Sequence, residues 1–177
     1  MTHRAAFPLV FPTSFPETIR LVFLDLDGVL NCDTTSPNGV EPLTSQSVHV
    51  SLERIKGIDR RHVAILNRVV AETGAWIVIS SSWRIMHGAD ETIETLFRAG
   101  FVGHVLGATP DVGPHREQDV LGFLESWDPQ YRLASYAILD DGTDLGSLTP
   151  RLVLTNTDEG MTEKDADAVI RLLLEQS

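Results

Sequence analysis

The chain has 177 residues, 42% of them hydrophobic, with mean hydropathy near zero, so it is long enough for one domain with a sizeable core and short for two. Its 14 basic and 25 acidic residues give a formal net charge of −11, which speaks against strong binding to nucleic acid or anionic membranes and suits a site that holds a cation. The single cysteine, Cys32, excludes an internal disulfide and any paired-cysteine metal site, and fits a reducing, cytoplasmic setting.

In residues 1–19, Pro8, Pro12 and Pro16 interrupt any apolar run, so the sequence predicts an extended N-terminal arm and not a signal peptide or membrane span. Residues 20–177 then read as one domain in which apolar strands alternate with helical patterns, the signature of an α/β fold with a mostly parallel sheet. The first strand is Leu21 to Leu24, and it runs directly into Asp25-Leu26-Asp27-Gly28. Residues 31–58, with Pro37-Asn38-Gly39 and an apolar/polar alternation around Val48 to Leu52, suit a flap or small hairpin and are too few for a folded cap domain. Asp59 is placed to cap a helix from about Arg60 to Glu72, with Val63, Leu66, Val69 and Val70 at helical spacing and Gly74 at its end. The next strand is Trp76 to Ile79, followed by Ser80-Ser81-Ser82. A helix around Glu91 to Ala99 carries Ile93, Leu96 and Phe97 on one face. A short strand near Val105-Leu106 and a helix from about Arg116 to Ser126 follow. Tyr136 to Leu139 is a strand ending in Asp140-Asp141, and Leu152 to Leu154 is the last. Thr162 with Asp165 forms a capping-box pattern before a helix whose apolar stripe is Ala166, Val169, Ile170, Leu173 and Leu174.

Three of these strands end in polar clusters: Asp25 with Asp27, Ser80 to Ser82, and Asp140 with Asp141. Ligands of open α/β sheets bind beyond the carboxyl ends of the strands, so the clusters can converge in one crevice. Side chains alternate along a strand with period two, which lets Asp25 and Asp27 leave the first strand on related sides and share one metal ion and one substrate. Such an arrangement points to phosphoryl transfer on an aspartate nucleophile; a solvated acidic turn after a buried strand is the plain alternative.

These residues resemble the haloacid dehalogenase (HAD) superfamily of phosphohydrolases over about Leu21 to Asp144. The shared pattern is Asp-x-Asp-Gly after the first strand, Ser or Thr ending the second, Lys or Arg before a later strand, and an acidic pair ending that strand. The stretch Ile79-Ser80-Ser81-Ser82-Trp83-Arg84 further resembles a small branch related to RNA-repair phosphatase domains. The resemblance implies a three-layer Rossmann-like α/β fold, with a central mostly parallel sheet, helices on both faces and no full cap domain. It implies Asp25 as the nucleophile and Asp27 as the general acid/base. Crowding of negative charge is expected to raise the pKa of Asp27. It implies Ser80 as the hydroxyl that binds the phosphoryl group, with Ser81 as the alternative because a one-residue slip exchanges them. Arg116 matches the basic residue, where most of the family has lysine; its planar fork is not a neutral replacement. Magnesium is the implied cofactor, held by the Asp25 carboxylate, the Asp27 carbonyl and Asp141, with Asp140 as neighbour or alternative ligand. Asp144 either holds a metal-bound water or caps a turn.

Past the serines, Arg84 is a candidate contact for a substrate phosphate, while Trp83 reads first as packing and second as a stacking platform. Cys32 reads as a small filler, and His49, His62, His87, His104 and His115 show no ligand-like spacing, although His115 is placed to reach the site rim. A nearly capless site is open and admits macromolecular ends. Arg54, Lys56, Arg60 and Arg61 form a local basic cluster near the flap that suits either an anionic substrate or a solvated helix start. The expected function is a magnesium-dependent phosphomonoesterase acting on a small molecule or macromolecular end. Its rivals are a phosphatase of nucleic-acid ends and an idle phosphate- or partner-binding module of the same fold. A dinucleotide-binding protein is disfavoured, because no Gly-rich phosphate loop follows the first strand.

Overall fold

A computed structural model describes residues 16–32, 39–42, 57–127 and 131–175. Five strands form one parallel sheet: β1 (Thr18–Leu24), β2 (Trp76–Ile79), β3 (Val105–Ala108), β4 (Arg132–Asp140) and β5 (Leu152–Leu154), in the order β3-β2-β1-β4-β5. The helices are α1 (Arg60–Thr73), α2 (Trp83–Met86), α3 (Ala89–Arg98), α4 (Arg116–Glu125) and α5 (Glu163–Leu174), with a 3₁₀ turn at Gly146–Arg151. None of the described helices is long and apolar enough to cross a membrane.

The alternation of β1 builds both halves of the core. Val22 and Leu24 join one apolar cluster with Val63, Leu66 and Val69 of α1, Leu96 of α3, and Ala166, Val169 and Leu173 of α5. Ile19, Leu21 and Phe23 join the other, with Val120 and Phe123 of α4 and Leu148 of the 3₁₀ turn. The central strand is therefore apolar on both faces, as a parallel strand between two helical layers requires. Local chemistry sets the helix ends. Asp59 accepts a hydrogen bond from Arg61 N at 2.9 Å to cap α1, and Gly74 closes that helix at φ 65°, a left-handed conformation that glycine adopts without strain. The capping box of Thr162 and Asp165 is present at α5.

Several element limits differ from the pattern-based ones. β1 begins at Thr18 and β4 at Arg132, because the outer parts of these strands are only partly buried and so carry polar residues that hide the strand pattern. α2 is a single turn, too short to show a helical period. Phe97 and Leu174 are about half exposed (45% and 47%), so the apolar stripes of α3 and α5 are narrower than expected. Of the N-terminal arm, residues 1–15 lie outside the described residues, as do Arg54, Lys56 and most of the flap. The flap's stem is described. Val40 and Ile58 form an antiparallel bridge, exchanging hydrogen bonds of 2.9 Å in each direction.

Strand register aligns the functional ends. Leu24 pairs with both Ile79 and Leu139, so β1, β2 and β4 stop at the same edge of the sheet. The order β3-β2-β1-β4-β5 places the topological switch between β1 and β4, where a parallel sheet opens its crevice. Phe23 is fully buried, with edge-on rings of Phe123 at 5.5 Å and Tyr136 at 5.9 Å. Phe23→Ala is expected to lower unfolding free energy by about 3–5 kcal/mol, read from the urea midpoint at unchanged slope.

Candidate functional site

Asp25 is the first residue beyond β1 and remains tied to the sheet through its N–H, which donates to the Leu139 carbonyl at 3.0 Å. It is buried (5% exposed), with Oδ1 accepting from Leu26 N at 2.7 Å. Arg116, the first residue of α4, reaches back over the switch point: Nη2 donates to Asp25 Oδ2 at 2.8 Å, and Nε lies 3.1 Å from Asp140 Oδ2. The second of these is an ion pair without hydrogen-bond alignment, and Asp140 Oδ2 is a buried oxygen that accepts no hydrogen bond. Asp140 Oδ1 accepts from Gly142 N at 2.8 Å. Asp141 is half-buried and accepts from the Thr157 hydroxyl at 2.8 Å.

Oxygens of Asp25, Asp140 and Asp141 lie within 4.8 Å of one another. Burial pushes the Asp25 carboxyl up to about 7; Asp140 adds to the rise, while Arg116, the Leu26 amide and the Ser81 side chain oppose it. Asp140 is also raised, mainly by burial, with Asp141 and Asp144 adding and Arg116 and the Gly142 amide opposing. All the clustered donors are carboxylate oxygens, one of them buried without a hydrogen bond, a set that fits a hard divalent cation such as Mg²⁺. Gly28, at φ 69°, leaves the space this cluster occupies: a Cβ there would collide with the Asp141 carboxylate.

Asp27 is exposed beside this cluster, and its carboxylate accepts from Asn31 Nδ2 at 2.8 Å and from the Trp83 indole at 3.0 Å. The serines divide. The Ser81 hydroxyl accepts from Trp83 N at 3.3 Å, whereas the Ser80 hydroxyl is buried without a partner. Arg84 is buried and engaged elsewhere: it donates to the carbonyls of Ser81 (2.7 Å), Thr109 (2.9 Å) and Pro110 (3.1 Å) and pairs with Asp119 at 2.5 Å. These bonds leave its guanidinium inside the protein fabric, where a substrate phosphate was expected. At the rim, His115 Nδ1 lies 3.7 Å from Asp144 Oδ2, both side chains being more than half exposed. Cys32 is buried, as a filler should be, 3.6 Å from His62 Nε2, while His62 Nδ1 donates to the Met161 carbonyl at 2.8 Å.

Sequence reasoning missed Asn31, Thr157 and Asp119. Asn31 had a signal, a polar residue following Val29-Leu30 and four positions after Asp27. Thr157 and Asp119 had none, since their partners are distant in the chain.

Asp25 supplies a pH test of the electrostatics. A carboxyl whose folded pKa is raised from 3.8 to about 7 binds more protons folded than unfolded between those values, so stability falls as pH rises through that window. In EDTA, Asp25→Asn is expected to flatten this fall and to gain stability over wild type above pH 7, with the gain shrinking towards pH 4; urea melts across pH measure it.

A family model described as the HAD domain in Swiss Army Knife RNA repair proteins matches residues 21–166. No curated protein matches the chain.

Proposed function

The chain belongs to this HAD family, and on that premise we propose that it is a magnesium-dependent phosphomonoesterase working through an aspartyl-phosphate on Asp25. The observation that carries the reading is the position of Asp25: buried at the switch point, bonded to Arg116, and within 4.8 Å of the Asp140 and Asp141 oxygens.

Asp25 attacks phosphorus; as the new oxygen–phosphorus bond forms, the bond to the leaving oxygen breaks and Asp27 delivers a proton to that oxygen. Asp27 then takes a proton from water, whose oxygen attacks phosphorus and releases Asp25. Attack requires Asp25 ionised, and Arg116 favours that form against burial. Mg²⁺, held by Asp25, Asp141, the Asp27 carbonyl and Asp140 as neighbour or alternative ligand, would supply the positive charge that lets an anionic phosphate approach these carboxylates. The Ser80 hydroxyl, buried and without a hydrogen-bond partner, supports Ser80 as the group that bonds the transferring phosphoryl, with Ser81, whose hydroxyl accepts from Trp83 N, as the alternative. The bonds of Arg84 favour a structural role over substrate contact.

The family's description also supports a nucleic-acid end as the substrate. A groove of about 470 Å³ lined by Gly39, Val40, Glu41, Arg60 and Arg98 lies at the flap stem, and its two guanidinium groups suit a strand's phosphates in a chain otherwise acidic.

Phosphate release from p-nitrophenyl phosphate is expected to require magnesium and to fall about 10³-fold or more in Asp25→Asn. Ser80→Ala is expected to lower kcat by about 10²-fold and Ser81→Ala far less; the reverse order would pass the phosphate-binding role to Ser81. Comparing kcat/KM for a 3′-phosphorylated oligonucleotide and a mononucleotide separates the two substrate classes. Magnesium-dependent turnover that survives Asp25→Asn would remove the aspartyl-phosphate.

A further inference from the structure

The donors on Asp27 come from two separate parts of the chain. Asn31 lies in the turn after β1, while Trp83 opens α2 beyond the serines, and the indole nitrogen sits 3.0 Å from both Oδ1 and Oδ2. Trp83 is 1% exposed within the apolar cluster, with the His87 ring edge-on at 5.5 Å. Its backbone N–H donates to the Ser81 hydroxyl at 3.3 Å, and the next residue, Arg84, is anchored on three carbonyls and on Asp119. A ring packed this way has one orientation, so its N–H points at one place.

Packing alone does not explain that place. A buried indole needs a hydrogen-bond partner, and a backbone carbonyl suffices; Trp127 uses the Tyr131 carbonyl at 2.7 Å. Trp83 instead donates to an exposed carboxylate two residues from Asp25.

We propose that Trp83 is a positioning residue for Asp27, fixing the plane of its carboxylate so that its proton faces the leaving oxygen; this rests on the reading of Asp27 as general acid/base. With the indole N–H across one edge of the carboxylate and Asn31 on Oδ1, the acidic proton of Asp27 is confined to the uncovered side. That proton passes to the leaving oxygen as the oxygen–phosphorus bond breaks and the bond to Asp25 forms. An unpositioned Asp27 fails most where the leaving group most needs a proton.

The test is leaving-group dependence in Trp83→Phe. The variant is expected to lose about tenfold or more on an alkyl phosphate and much less on p-nitrophenyl phosphate, whose leaving group departs without help. Asp27→Asn should show the same asymmetry, and Trp83→Phe should add little in its background. Equal losses on both esters, or none, would overturn the proposal, and the ratio of the two rates does not depend on the folded fraction. The contact is also readable without turnover. The chain has 3 tryptophans, and Asp27→Asn should move one indole ¹H–¹⁵N resonance while the other two stay. If all three stay, the proposal falls even where Trp83→Phe does not fold. Wild type inactive on every ester with magnesium, but with that one resonance moved, would remove the phosphatase reading and leave the orientation of Asp27 by Trp83 standing.

Discussion

Placing Asp25, Asp140 and Asp141 at neighbouring strand ends sets a charge problem that the surrounding structure is arranged to meet. Like charges about 4 Å apart repel by about 4 kcal/mol at an effective dielectric near 20, and burial adds a desolvation cost for each ion. One guanidinium, Arg116, faces three carboxylates whose oxygens lie within 4.8 Å. The residual charge, two negative units with all three ionised, equals that of one divalent cation. Burial is the main cause of the upward shifts of Asp25 and Asp140, and the neighbouring carboxylates add to both. Topology makes the arrangement possible. Only at the β1–β4 boundary does the chain reverse its direction of growth, and the helix that crosses to β4 begins with Arg116. A cation in the first turn of a helix opposes the macrodipole, and here the contacts to Asp25 and Asp140 offset that penalty.

The segment after β2 makes three contacts within four residues. Ser81 accepts from the Trp83 amide, Trp83 donates its indole N–H to Asp27, and Arg84 ties this turn to α4 through Asp119, one helical turn beyond Arg116. Arg84 and Asp119 are both nearly buried, so removing either partner would leave a charge without compensation. A displacement of α4 that moved Arg116 would therefore also strain the turn holding Ser81 and Trp83.

What the sequence made legible follows from how local each signal is. Asp25, Asp27, Asp140 and Asp141 stand out because acidic residues directly follow apolar strand runs, and a parallel sheet brings those ends to one edge. Arg116 was legible because the resemblance places a Lys or Arg at the start of the helix ahead of the strand that ends in the acidic pair. The serine register was not: with Ser at 80, 81 and 82, residue type carries no information, and only the fold shows that the Ser81 hydroxyl is engaged by the Trp83 amide while that of Ser80 has no partner. Arg84 is ambiguous for a related reason. An arginine beside a serine cluster and an arginine that braces its turn read alike, and its carboxylate partner Asp119 lies 35 residues away. The indole contact to Asp27 spans 56 residues, which no local pattern reports.

The flap stem is held by backbone contact. Gly39 and Gly57 approach so closely that a Cβ on either would lie 2.6 or 2.5 Å from the other's backbone, beside the Val40–Ile58 bridge. Asp59 N then donates to the Leu30 carbonyl at 2.8 Å, so the chain leaves the nucleophile loop and returns to it through one narrow passage. Close backbone contact of this kind admits only glycine, which makes the stem intolerant of change. Arg60 and Arg98, which line the groove at the stem, belong to core helices, so the two guanidinium groups reach the groove from elements fixed by the packing of the sheet and not from the stem itself.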